Sequence, residues 1–122
     1  QLSSLSVYGL AERIDRTTAE APVTNYGASK RKADRALQAL IGDAMPLTLL
    51  RIPMLFGDSE DKLAQLVNLC RRLRAVPRPS RPIERSMLSY QALAEAVTQL
   101  ADRPAGGVLH LADPTPFSYD LL

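Results

Sequence analysis

The segment LTLLRIP, residues 47–53, most constrains what this chain can fold into, because it is a short, nearly continuous apolar run placed directly after an amphipathic helical pattern. A strand without a polar face suits a position buried on both sides of a parallel sheet. The helix before it begins at Asn25. Ala33, Leu37, Leu40 and Ile41 recur there at three- and four-residue spacing, while Arg31, Lys32, Arg35 and Gln38 fall elsewhere. Thr24 or Asn25 caps its start and Gly42 ends it. Pro53 stops the strand and Gly57 marks the following turn.

The alternation continues along the chain. QLSSLSVYG, residues 1–9, reads as the end of a strand running into a loop, and the polar stretch 10–24 is long enough to serve a site or cover one. A second amphipathic helix is expected over 62–74, with Leu63, Leu66, Val67, Cys70 and Leu73 as its stripe. The proline-rich piece 76–82 reads as a stiff surface crossing. A short strand over 86–90, a helix over 91–101, a strand over 106–113 and a further helix capped by Ser118 complete the pattern. Strands alternating with helices of about a dozen residues imply an α/β sheet with right-handed crossovers.

A length of 122 residues fits one domain, and 46% hydrophobic with 23% charged residues is ordinary for a chain that buries a core. The net charge of +2 is too small to point to nucleic acid or an anionic membrane as the main partner. The single cysteine, Cys70, allows neither an intrachain disulfide nor a thiol metal cluster, and favours a cytoplasmic location. Neither a signal peptide nor a membrane-spanning run is visible. Gln1-Leu2 leads directly into a Ser-rich turn without an initiating Met, which reads as a chain cut within a strand. His110, inside VLHLAD, and Cys70 read as structural, and Arg71, Arg72 and Arg74 as a solvated helix face.

Chemistry is concentrated in Tyr26-Gly27-Ala28-Ser29-Lys30, where a phenol and an ammonium four residues apart share one helix face. A positive charge beside a phenol favours the phenolate, which is what a general acid–base for a sugar or alcohol hydroxyl needs. Gly27, Ala28 and Ser29 add little bulk, leaving room for a flat ring or a sugar at the helix start.

The order SSLSVYG, a loop with Glu20 and Pro22, NYGASKRKAD and then LTLLRIPMLFG resembles the extended short-chain dehydrogenase/reductase family, the NAD-dependent epimerases and dehydratases that include UDP-galactose 4-epimerase. ERSMLSYQALAEAV and GGVLHLADPTPFSYDLL resemble later parts of the same family, so the likeness covers essentially the whole chain. It implies an α/β fold: the C-terminal part of a Rossmann-type doubly wound parallel sheet, with part of a small substrate-binding region. Residues 1–122 would form a partial NAD(P)-binding epimerase/dehydratase domain lacking the N-terminal glycine-rich half, since no Gly-x-x-Gly-x-x-Gly occurs.

The same resemblance implies roles. Ser4, Tyr26 and Lys30 would be catalytic: Ser4 bonds the reacting oxygen, Tyr26 moves the proton, and Lys30 holds the nicotinamide ribose of NAD or NADP. Pro53 would lie against the nicotinamide. Ser6 would line the substrate pocket with Ser4, and Arg85 would bind the diphosphate of a nucleotide-sugar. No metal is expected. Two positions depart from the family pattern: Met54 stands where an asparagine is usual, and Asn25 where proline is common. The intact enzyme would be a homodimer formed through the helix that begins near Tyr26, acting as an epimerase, dehydratase or reductase. The alternatives are a non-catalytic member that binds a dinucleotide or a protein, and an inactive fragment, and the 122-residue chain by itself is expected to be inactive.

Overall fold

A computed structural model describes residues 1–57, 62–76, 79–81 and 83–119. The elements are β1 (Leu2–Ser4), a 3-10 helix (Leu5–Tyr8), α1 (Asn25–Ile41), β2 (Thr48–Ile52), β3 (Met54–Phe56), α2 (Lys62–Leu73), β4 (Glu84–Arg85), β5 (Met87–Ser89), α3 (Tyr90–Asp102), β6 (Gly107–His110) and β7 (Phe117–Ser118).

Strand β2, the apolar run, is the centre of a three-stranded parallel sheet in the order β1-β2-β6. Leu2 pairs with Leu50 and Ser4 with Ile52 on one side, and Thr48 pairs with Gly107 and Arg51 with His110 on the other. Leu49, Leu50, Arg51 and Ile52 are all buried, as expected of a strand covered on both faces. The two faces differ. Leu50 and Ile52 join Leu88, Leu93, Leu100 and Leu109 in the core beneath α3. Arg51, one residue out of phase, meets Asp34 of α1, so α1 and α3 lie on opposite faces of the sheet. This is the doubly wound α/β arrangement.

Pro53 ends β2, but the chain does not turn at once. Met54–Phe56 forms β3, which pairs in parallel with β5, placing Met54 opposite Met87 and Phe56 opposite Ser89. Ser89 caps α3 by accepting a bond from the Ala92 amide, which makes Tyr90 the first helical residue rather than the last of the strand. The final strand of the sheet stops at His110, short of the expected Asp113.

Two expectations are corrected. Phe117 and Ser118, expected to open a helix, form β7 and pair antiparallel with Arg85 and Glu84, and 3-10 conformation begins only at Tyr119. The rest of that expected helix, Asp120 to Leu122, lies outside the described residues. In α1, Leu40 is 82% exposed, whereas Asp34 is 1% exposed. The helix therefore turns a carboxylate inward, because Ser3 and Arg51 are there to receive it. Of the proline-rich piece, Pro77, Arg78 and Pro82 lie outside the described residues.

Candidate active site

The site is assembled at the C-terminal ends of β1 and β2. Ser4 ends β1 and caps the 3-10 helix. Its Oγ accepts bonds from the Ser6 amide at 3.2 Å and the Ser6 hydroxyl at 2.9 Å. Both bonds use Ser4 as acceptor, so its own proton remains to be donated elsewhere.

Thr24 caps α1, its hydroxyl accepting from the Gly27 amide at 3.0 Å. Gly27 is buried, and a Cβ there would stand 2.4 Å from the Ser6 carbonyl oxygen. The missing side chain thus lets α1 seat on the 3-10 helix. This corrects the expectation that Gly27 clears space for a ligand, since the space it leaves is filled by backbone. Tyr26, one residue earlier, is 57% exposed. Lys30 follows one turn later, with its Nζ 5.8 Å from the Tyr26 ring centroid and donating to the Leu2 carbonyl at 3.4 Å.

Ser4, Ser6, Tyr26, Lys30 and Pro53 all line one cleft of about 760 Å³. Sequence reasoning missed Lys62 and Gln65 of α2 and Tyr90 of α3, which complete its far wall with Met54. No local pattern marks them, because their elements reach the cleft through the β3–β5 pairing. The described lining holds two lysines and no carboxylate, a balance that suits an anionic ligand. Arg85 is not brought to this cleft. It is exposed on β4, opposite Phe117.

The loop 10–24 does not cover the cleft either. It is pinned on the other side of α1's base, where Glu20 forms an ion pair with Arg51 and Asp15 accepts bonds from the Thr17 amide and hydroxyl, each at 2.7 Å. Those bonds from Thr17, with weaker help from Thr18, hold the Asp15 carboxyl below its ordinary pKa. Beside it lies a buried polar network that no sequence pattern announced. Ser3 donates to Asp34 at 2.7 Å, and Arg51 reaches Asp34 at 3.5 Å and the Tyr8 hydroxyl at 2.6 Å. Burial opposes the Arg51 charge, but the bonds to Glu20 and Tyr8 outweigh it and raise its pKa.

Among the described residues no group of three or more His, Cys, Asp or Glu side chains could hold a metal ion, and no helix is long and apolar enough to cross a membrane. Nor do Gly106 and Gly107 form a phosphate cradle. They take positive φ at the entry to β6, and their amides are already given to the Thr48 hydroxyl and the Leu47 carbonyl.

The sequence model of the NAD dependent epimerase/dehydratase family matches residues 1–107. The chain belongs to that family. No curated protein matches it. Among solved structures, this family member resembles dTDP-glucose 4,6-dehydratase from Bacillus anthracis in complex with NAD, with 19% identity, a TM-score of 0.79, and coverage of 99% of this chain and 42% of that one. It also resembles UDP-glucuronic acid 4-epimerase from Bacillus cereus in complex with NAD, with 13% identity, a TM-score of 0.78, and coverage of 97% and 42%. A third is RMD from Pseudomonas aeruginosa complexed with NADPH, with 20% identity, a TM-score of 0.75, and coverage of 98% and 46%. At these identities the likeness is one of fold, a Rossmann-type α/β architecture, and the family chain spans less than half the length of each of these structures.

Proposed function

We propose that this chain is the acid–base portion of an NAD(P)-dependent enzyme that epimerises, dehydrates or reduces a nucleotide-sugar, and that residues 1–122 are a partial domain whose glycine-rich half belongs to the complete protein. One observation carries the reading: five of the six residues singled out in the sequence, Ser4, Ser6, Tyr26, Lys30 and Pro53, border a single cleft whose described lining holds two lysines and no carboxylate.

These residues suit the nicotinamide end of a dinucleotide and offer nothing for its pyrophosphate, since the amides of Gly106 and Gly107 are engaged. When bound, the cofactor supplies hydride acceptance and donation. The Tyr26 hydroxyl takes the proton from a sugar hydroxyl and returns it on reduction. Lys30, one turn away, steadies negative charge on the Tyr26 oxygen and holds the cofactor ribose. Ser4, whose oxygen already accepts two bonds from Ser6, is left to donate its proton to the developing oxyanion of the substrate. Ser6 orients Ser4, and Pro53 backs the nicotinamide. Arg85 is assigned no role, because it stands outside the cleft lining.

The complete protein is proposed to be a homodimer joined through α1, where Leu40 is open to solvent, and to reside in the cytoplasm, which suits the free thiol of Cys70.

The test is to express the complete protein containing this chain and titrate it with NAD and NADP, with and without Tyr26→Phe. Binding in both forms, with turnover of a UDP-sugar panel lost in the substituted form, supports the proposal. Binding without turnover in the unsubstituted protein overturns it in favour of a non-catalytic dinucleotide binder.

A further inference from the structure

The 3-10 helix beside Ser4, the loop leading into α1, and α1 with Tyr26 and Lys30 are all tied to one buried guanidinium. Arg51, 3% exposed on the central strand β2, touches no cleft-lining catalytic candidate and does not itself line the cleft. Its two terminal nitrogens reach three separate pieces of chain. One donates to the Tyr8 hydroxyl at 2.6 Å and so holds the 3-10 helix on which Ser4 and Ser6 are arranged. The other pairs with Glu20, in the loop that delivers the chain to α1, and reaches Asp34 at 3.5 Å on α1 itself.

Asp34 transmits this hold to the site. It lies four residues after Lys30 and eight after Tyr26, so all three fall near one side of the helix. Gly27, Lys30 and Asp34 form a stripe along α1, and each meets β1 or the 3-10 helix: Gly27 the Ser6 carbonyl, Lys30 the Leu2 carbonyl, Asp34 the Ser3 hydroxyl. Ser3 and Ser4 are neighbours on a strand and face opposite ways. The bond at Ser3 therefore fixes α1 against β1 at the residue directly before Ser4, at the edge of the same cleft.

We propose that Arg51 is the positioning residue of this site, fixing Tyr26 and Lys30 relative to Ser4 through its simultaneous hold on Tyr8, Glu20 and Asp34. The proposal rests on the acid–base reading above. A planar fork can serve three partners in fixed directions, whereas a lysine in its place keeps the charge and offers one point of attachment. A displacement of about 1 Å between reacting groups costs on the order of a hundredfold in rate.

The experiment compares Arg51→Lys and Glu20→Gln with the unsubstituted protein in two ways. In the complete protein, Arg51→Lys is expected to lower kcat about a hundredfold with KM changed by less than about threefold, measured where thermal melts show the variant folded. In the isotope-labelled complete protein, it is also expected to move the amide resonances of Ser6, Gly27 and Lys30, which lie on the tied segments and do not touch Arg51. If Arg51→Lys does not fold, Glu20→Gln weakens one tie by neutralising its carboxylate while the Arg51 charge stays in place, and it is expected to lower kcat at unchanged KM and to move the same three resonances. A folded variant whose melting temperature falls while kcat and these resonances stay put overturns the proposal, because Arg51 would then be stabilising only. If the unsubstituted complete protein turns nothing over, the acid–base reading has failed, and the resonances alone decide: unmoved, they overturn the positioning role, and moved, they establish it independently of the reaction.

Discussion

The Tyr8 hydroxyl lies 2.6 Å from Nε2 of His110, joining residues 102 positions apart in the chain. The rings meet edge to face, with centroids 5.4 Å apart and planes at 83°. Because the Tyr8 oxygen already accepts from Arg51, its single proton is best given to Nε2, which requires a neutral His110 carrying its hydrogen on Nδ1. A proton on Nε2 would leave the Tyr8 proton without that acceptor and set a second positive charge near Arg51.

Stability is therefore expected to depend on pH through His110. Partial desolvation of the imidazole against Tyr8, and after it the Arg51 and Arg16 charges, lower its pKa below the ordinary 6.5, with Asp15 opposing, although the residue as a whole is exposed. The unfolded chain then binds the proton first as pH falls. The stabilisation is complete above about pH 6.5 and is lost as pH drops through that value toward the lower folded-state pKa. His110 is the one histidine in the chain, so thermal melts across this range should decline toward acid in the natural sequence and flatten in His110→Gln. Identical slopes for the two proteins would refute the assignment.

Replacing Gly27 by alanine should be costly although alanine favours helices. The new Cβ would sit 2.4 Å from the Ser6 carbonyl oxygen and 3.1 Å from the Pro22 side chain, so α1 must lift off the 3-10 helix. Overpacking of this sort costs about 1–3 kcal/mol. Urea denaturation followed by circular dichroism measures it, and a variant as stable as the natural chain would show that the close approach is not required. Alanine at Gly42, where nothing lies within 4 Å, is strained by the positive φ alone and serves as the control for backbone conformation.

Removing the buried carboxylate should cost more than removing its donor. Asp34→Ala strips both Ser3 and Arg51 of a partner, and breaking a buried ion pair from one side costs about 3–5 kcal/mol. The loss is expected near the lower end, because Glu20 still faces Arg51. Ser3→Ala leaves the ion pair and removes one bond to a charged group, about 1.5–3 kcal/mol. Chemical denaturation of the two variants gives the order directly, and a reversed order would mean that Asp34 is not the centre of this network.

Much of the fold was legible because it depends on local patterns. The apolar run 47–53 announced the central strand, the Leu63, Leu66, Val67 and Cys70 stripe announced α2, and Thr24 and Gly42 marked the ends of α1. The failures came where a partner distant in sequence outweighed local preference. Phe117 and Ser118 became a strand because β4 was available to pair, and Leu40 stayed exposed while Asp34 went inward.

Of the candidate site, the sequence by itself determined the Tyr26–Lys30 spacing, the Ser-rich strand end and the order of the segments, because helix geometry alone puts residues four apart on one face. Only the tertiary structure decided that Ser4, Ser6 and Pro53 share their cleft, that Arg85 stands apart from it, and that Lys62, Gln65 and Tyr90 close its far side. The same holds for Arg51. In the sequence it interrupts an apolar run, and its meaning comes from Tyr8, Glu20 and Asp34, which approach it from separate segments. A buried charge must find its partners wherever the fold brings them, since desolvation penalises any it lacks, and that requirement has no period for a sequence to display.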